Sequence, residues 1–142
     1  MSGNSKRYRT QWSAQFYAAA ELTRRGYLAA LTLGNAPVVD LLVQSPGGVA
    51  FQVDLKGLSS KNFWLVRERP AKPDLFFILV YLPSDVMQPP QFFIVPSATL
   101  VAEMTKLRER TIVSGRDWNE AGAGINWGTG LQFRDRWDYL PG

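Results

Sequence analysis

The sequence contains no cysteine and no histidine among its 142 residues. The absence of cysteine excludes a disulfide framework and fits a reducing cytosol. The absence of histidine excludes Ser-His-Asp and Cys-His nucleophile pairs, and the two absences together exclude zinc sites built from Cys and His ligands. Catalysis is therefore left to carboxylates, lysines, hydroxyls and any hard cation that carboxylates could hold.

Long apolar runs are also missing. No run approaches the roughly 20 residues that a membrane helix needs, and the polar first residues lack the apolar stretch of a signal peptide. The chain has 46% hydrophobic and 13% aromatic residues, which is typical of a globular domain. We therefore expect a cytoplasmic protein with no membrane partner. The net charge of +4 favours a polyanionic partner, but ordinary solvated faces produce such an excess as well.

The chain is divided into two stretches by its composition. Residues 1–10 are polar and basic and predict a flexible arm. Its Lys6 and Arg7 could reach phosphates, or the segment could be an ordinary frayed terminus. Residues 11–142 are interpreted as one domain. Within it, residues 11–25 have a helical pattern with Trp12 and Phe16 on the apolar stripe, and Gly26 ends the helix.

The strands and a second helix follow. Ser97 marks the start of the second helix as a candidate N-cap, and residues 115–130, rich in Gly and Asn, are expected to form a loop. A uniformly apolar segment at residues 74–82 predicts a central strand covered on both faces. Six segments have strand composition: residues 27–33, 38–44, 49–56, 63–67, 74–82 and 91–95. This order predicts an α/β (α+β) fold with a mixed central sheet of about five strands flanked by helices.

Two acids fall on a predicted hairpin formed by residues 38–44 and 49–56. Alternation along the second arm places Gln52, Asp54 and Lys56 on one face. If Gln44 lies opposite Ala50, then Asp40 lies opposite Asp54, and two like charges so placed destabilise a sheet unless a cation or Lys56 lies between them. The alternative interpretation is that Asp40 caps a loop while Asp54 and Lys56 belong to a solvated strand face.

This hairpin resembles the core of the PD-(D/E)xK nuclease superfamily, which has the restriction-endonuclease-like fold. The sequence is similar at Asp40 and at Asp54-Leu55-Lys56. Similarity to the Holliday-junction-resolvase-like branch of small bacterial proteins extends over residues 12–110 and includes the segments 20–27, 52–56, 63–64 and 92–97. The resemblance implies a helix, a hairpin that carries the acids, and further strands and a helix.

The resemblance also implies a function. Asp40, Asp54 and the backbone carbonyl of Leu55 would hold Mg²⁺ or Mn²⁺, and Lys56 would position or deprotonate the attacking water. The implied activity is DNA phosphodiester hydrolysis by an endonuclease. The alternative is a catalytically weakened nuclease fold that serves as a nucleic-acid-binding or interaction module. A homodimer is also open, since relatives with this fold often act as dimers.

One departure from the family pattern concerns the first helix. The family often places Glu there, where this chain has Gln15, and a neutral side chain would weaken a second metal position. Glu21 lies about 240° further round the helix, so it either serves as an accessory acid or pairs with Arg25 at the surface. Gln52 is a further accessory candidate. Ser59 and Lys61 could bind phosphate, or could belong to an ordinary polar loop.

Overall fold

The structure, a computed structural model, describes residues 3–32 and 39–142. The helices are α1 (Gly3–Arg24), α2 (Ser97–Val113) and the short α3 (Trp127–Gly130). The strands are β1 (Leu28–Leu31), β2 (Leu41–Gln44), β3 (Ala50–Leu58), β4 (Phe63–Leu65), β5 (Leu75–Tyr81), β6 (Gln91–Pro96) and β7 (Gly124–Asn126). Short 3-10 turns lie at Glu120–Gly122, Leu131–Phe133 and Trp137–Tyr139.

Five strands form the main sheet, in the order β1-β2-β3-β5-β6. The β3–β5 pair is parallel and the other neighbours are antiparallel. The prediction of a mixed α/β fold with about five strands is therefore confirmed. The predicted strand at residues 63–67 forms as β4 but pairs with β7 in a separate two-stranded sheet. The prediction of a loop over residues 115–130 is wrong, because β7 and α3 form there.

The β2–β3 hairpin has the register predicted from the sequence. Leu41 lies opposite Val53, and Gln44 lies opposite Ala50. Among the described residues β2 begins at Leu41, while β3 continues to Leu58. The arms are therefore unequal, and the second half of β3 runs past the end of its neighbour. The predicted strand start at residue 38 and the turn predicted at residues 34–37 lie outside the described residues.

The β5 strand is buried on both faces, as its apolar sequence predicted. One core packs the face of the sheet that carries Val53 and Leu55 against α1. The other core packs the opposite face against α2, β4 and β7. Asp54 and Lys56 alternate with Val53 and Leu55, so their side chains lie on the α2 side of the sheet.

The first helix differs most from the prediction. Residues 4–25 contain no Gly or Pro, the residues that disfavour a helix most strongly, and the described helix begins at Gly3. The prediction of a flexible arm over residues 1–10 is therefore wrong for residues 3–10. The buried side chains are Ala14, Ala18 and Leu22, whereas Trp12 and Phe16, predicted to face the core, are exposed.

Small residues on α1 permit a close approach to β3. A β-carbon at Gly57 would lie 2.9 Å from the carbonyl oxygen of Thr10 and 3.1 Å from the β-carbon of Ala14. A bulky aromatic side chain on this face would hold the helix away from the strand. No helix within the described ranges is long and apolar enough to cross a membrane.

Candidate active site

Asp40 lies immediately before β2, where the main chain is held from both sides. Its N–H donates to the carbonyl of Val53 at 3.0 Å, and its carbonyl accepts from the N–H of Thr32 at 3.0 Å. Its carboxylate oxygen Oδ2 accepts a hydrogen bond of 2.8 Å from the N–H of Leu55. The Asp40 side chain thus occupies the position beside β3 that a longer β2 would have filled.

Asp54 is buried in β3, with only 7% of its surface exposed. Its Oδ1 lies 3.7 Å from Nζ of Lys56. Its Oδ2 accepts a hydrogen bond from Nη2 of Arg69. Two cations therefore neutralise a carboxylate that would be costly to bury alone.

The carboxyl groups of Asp40 and Asp54 are close enough to interact directly. Burial raises the pKa of the Asp40 carboxyl from its ordinary 3.8 to about 6; the Leu55 N–H opposes this rise, and the charge of Asp54 adds to it. The structure thus places the side chains of Asp40, Asp54 and Lys56 close together. We call these three residues the acid–lysine site.

Two glutamines of α1 hold the backbone around this site. Gln15, 5% exposed, donates from Nε2 to the carbonyl of Asp40 at 3.2 Å. Gln11 donates from Nε2 to the carbonyl of Leu55 at 2.8 Å and accepts from the N–H of Gly57 at 3.3 Å. Sequence reasoning missed Gln11, although it lies four residues before Gln15 and therefore on the same helix face.

Arg69 is the second residue that sequence reasoning missed. It lies in the segment between β4 and β5, and its guanidinium carbon is 4.9 Å from the ring centre of Phe77. The same segment is fixed to α2 because the N–H of Lys72 donates to the hydroxyl of Ser97 at 3.1 Å. This contact uses the hydroxyl predicted to be the helix cap, and no side-chain cap forms there. The charged sequence Arg67-Glu68-Arg69 gave no signal that distinguished Arg69 from its neighbours.

A cleft of about 320 Å³ adjoins Arg69 on the side of α2. Charged side chains form part of its lining, and Arg108 of α2 spans it to Glu68 with an Nη1 to Oε2 distance of 3.5 Å. The cleft therefore gives solvent access to the side of Arg69 that faces α2.

The other predicted site residues lie elsewhere or contact different groups. Glu21 pairs with Arg25 at 3.0 Å and with Arg24 at 3.9 Å. Glu21 therefore makes the surface pair with Arg25 that the sequence offered as the alternative to an accessory role. Gln52 shares the Asp54 face of β3, and its N–H donates to the carbonyl of Asp74 at 2.8 Å.

The predicted phosphate-binding residues occupy two regions. Ser59 and Lys61 follow β3, and Nζ of Lys61 lies 5.7 Å and 5.5 Å from the ring centres of Tyr81 and Trp127. Lys6 and Arg7 are exposed on the first turns of α1. The basic residues of the predicted arm are thus presented by a helix.

Acidic clustering at the site is limited to the two carboxylates. Within residues 3–32 and 39–142 there is no group of three or more His, Cys, Asp or Glu side chains that could hold a metal ion. Among the described residues, any cation at the acid–lysine site would therefore need ligands other than a third such side chain, for example backbone carbonyls, water or substrate.

The fold and site define a mixed α/β protein with a paired-acid and lysine arrangement beside one strand. No family model matches the sequence, and no curated protein matches it. Among solved structures, that of the bacterial homing endonuclease I-Ssp6803I is similar over 91% of this chain and 86% of that chain, with 14% identity and a TM-score of 0.49.

Proposed function

We propose that the protein is a divalent-cation-dependent endonuclease that hydrolyses DNA phosphodiester bonds and belongs to the PD-(D/E)xK superfamily. The observation that carries this proposal is the convergence of the Asp40 and Asp54 carboxyl groups beside Nζ of Lys56. Two carboxylates and a lysine together are the groups that water-mediated phosphate-ester hydrolysis can use without histidine.

The donor set fits Mg²⁺ or Mn²⁺. Mg²⁺ is bound through one or two carboxylates together with water and substrate phosphate. Asp40 and Asp54 supply two carboxylates whose mutual repulsion a cation would relieve. The carbonyl of Leu55, which also accepts from Gln11, would supply a third oxygen. When bound, such an ion would stabilise negative charge on the phosphate.

The residues of the chain have distinct proposed roles. Lys56, held 3.7 Å from Asp54, would hold the attacking water by its ammonium group. Gln15 and Gln11 would fix the backbone at Asp40 and Leu55. In the reaction the water oxygen would bond to phosphorus while the bond to the leaving sugar oxygen breaks. The water gives up one proton to solvent and the leaving oxygen gains one, so no net proton is consumed.

The experiment uses the full chain with supercoiled, linear and branched DNA, in Mg²⁺, in Mn²⁺ and in EDTA. We expect cation-dependent cleavage that Asp54→Asn and Lys56→Ala each reduce at least about a hundredfold. Asp74→Asn and Lys106→Ala remove the same charges outside the site and should leave the rate unchanged. Circular dichroism of each variant checks its fold.

A second candidate function is binding to nucleic acid without cleavage. It is favoured by Gln15, whose neutral amide donates to the backbone of Asp40, and by Arg69, which already neutralises Asp54. DNA binding with no cleavage under any cation would support this candidate and would contradict the endonuclease.

A further inference from the structure

Three aromatic side chains of α1 recur every fourth residue on its solvent side. Tyr8, Trp12 and Phe16 are 68%, 42% and 55% exposed. The rings of Trp12 and Phe16 are stacked, with centroids 5.6 Å apart and planes inclined by 24°. Single exposed apolar residues are ordinary, but a contiguous exposed patch marks an interaction site. We call Tyr8, Trp12 and Phe16 the aromatic face of α1.

Positive charge adjoins this aromatic face. Lys6, Arg7 and Arg9 lie in the first turns of α1, and no Asp or Glu occurs between residues 3 and 20. The first turns of the helix therefore carry three positive charges and no negative one beside the aromatic face. A polyanion complements such a helix, whereas a second copy of the chain would bring another helix of the same charge to it.

In the sequence, the aromatic face adjoins the two glutamines that hold the backbone of the acid–lysine site. Trp12 directly follows Gln11, which binds the carbonyl of Leu55, and Phe16 directly follows Gln15, which binds the carbonyl of Asp40. Consecutive helical residues project about 100° apart. Trp12 and Phe16 therefore project about 100° round the helix from Gln11 and Gln15, which hold the backbone of the site.

We propose that the aromatic face of α1 binds unpaired bases, while Lys6 and Arg7 hold the adjoining phosphates. The three rings span about 12 Å along the helix, and stacking on aromatic side chains is how proteins hold single strands without reading their sequence. This rests on the proposed function in one respect, since it assigns the substrate of that site to nucleic acid with a single-stranded region.

The test measures binding without catalysis. Fluorescence anisotropy in EDTA compares a labelled single-stranded oligo(dT) of about 20 nucleotides with a duplex of equal length. We expect tighter binding of the single strand. Trp12→Ala should weaken binding of the single strand at least about tenfold, the effect of losing one stacked base, and should change duplex binding by less than about twofold.

Tyr17→Ala is the matched control. Tyr17 is 49% exposed on the same helix but projects about 140° away from Trp12, so its removal should leave single-strand affinity unchanged. Equal effects of the two substitutions, or no preference for the single strand, would overturn the proposal. A change of sedimentation coefficient in Trp12→Ala without a change of affinity would assign the face to self-association instead.

The two proposals fail separately. Loss of single-strand binding in Trp12→Ala would support the aromatic face even if no DNA were cleaved under any cation. Cleavage of duplex DNA with no single-strand binding would support the endonuclease and would overturn the role of the aromatic face.

Discussion

Asp40 accepts a hydrogen bond from the N–H of Leu55 through Oδ2, at 2.8 Å, across the end of the β2–β3 hairpin. This bond holds the Asp40 carboxyl beside that of Asp54. It also gives the carboxylate a partner at the edge of an otherwise apolar strand, because Asp40 satisfies a backbone donor that β2 is too short to reach.

The first prediction concerns the pH dependence of stability. The pKa of Asp40 is raised to about 6 in the folded protein, so the ionised carboxylate disfavours folding above pH 6, and this penalty disappears as the pH falls towards 4. Asp40→Asn should therefore raise the free energy of unfolding at pH 8, by about 1 kcal/mol, since the group is partly exposed and the full shift overstates the effect. The gain should vanish near pH 4.

Chemical denaturation in EDTA across this pH range measures the gain. Asp138→Asn is the control, because the pKa of Asp138 is lowered by its hydrogen bond with Arg136. Its removal should therefore give no gain at pH 8. A gain at Asp40 that is independent of pH would show that ionisation of Asp40 is not its source.

The second prediction concerns Arg69. Because Arg69 binds the carboxylate that we assign to the cation, Arg69→Ala should lower the Mn²⁺ concentration needed for half-maximal thermal stabilisation by several-fold. In EDTA the same variant should be less stable by about 1–3 kcal/mol, since buried Asp54 loses a partner.

Arg67→Ala provides the comparison for Arg69→Ala. It removes an equal charge from the same segment at an exposed position. Equal Mn²⁺ responses of the two variants would show that the loss of net charge alone causes the effect. Weaker Mn²⁺ binding in Arg69→Ala would show that Arg69 helps to bind the cation and would contradict the prediction.

The third prediction concerns Gln15→Glu. A glutamate would place a carboxylate oxygen against the carbonyl of Asp40, where Gln15 now donates at 3.2 Å. We expect a loss of about 1–3 kcal/mol of stability at pH 8, with a smaller loss at pH 4, where a protonated glutamic acid can donate. Gln132→Glu, at an exposed position, should be nearly neutral. Denaturation at both pH values distinguishes these outcomes, and a stabilising Gln15→Glu would show that the site accepts a third acid.

The fourth prediction concerns the packing of α1 on β3. A methyl group at Gly57 would meet the backbone oxygen of Thr10 at 2.9 Å, so Gly57→Ala should destabilise the fold by about 1–3 kcal/mol. Gly122, where an added β-carbon meets no atom within 4 Å, should tolerate alanine. Thermal unfolding of both variants checks the difference. A neutral Gly57→Ala would mean that the helix can shift outward at little cost.

The sequence predicted those parts of the fold that depend on local pattern. Alternation in β3 and the turn after Gln44 determine the hairpin register from Leu41 to Gln44, so the approach of Asp40 to Asp54 could be worked out beforehand. The bond from the N–H of Asp40 to the carbonyl of Val53, one residue out of that register, could not. The aromatic spacing of α1 predicted a helix but misassigned its buried face, because close packing against Gly57 selects the small Ala14 over a larger side chain. Arg69 could not be predicted, since its contact with Asp54 depends on the path of a segment between two different sheets.

The unequal arms of the hairpin have a further consequence. A strand that outruns its neighbour exposes unpaired N–H and C=O groups, and such an open edge can recruit a strand from another molecule and start aggregation. Here Asp40 takes the N–H of Leu55, while Gln11 takes the carbonyl of Leu55 and the N–H of Gly57. The contacts that shape the acid–lysine site therefore also protect the protein against edge-to-edge association.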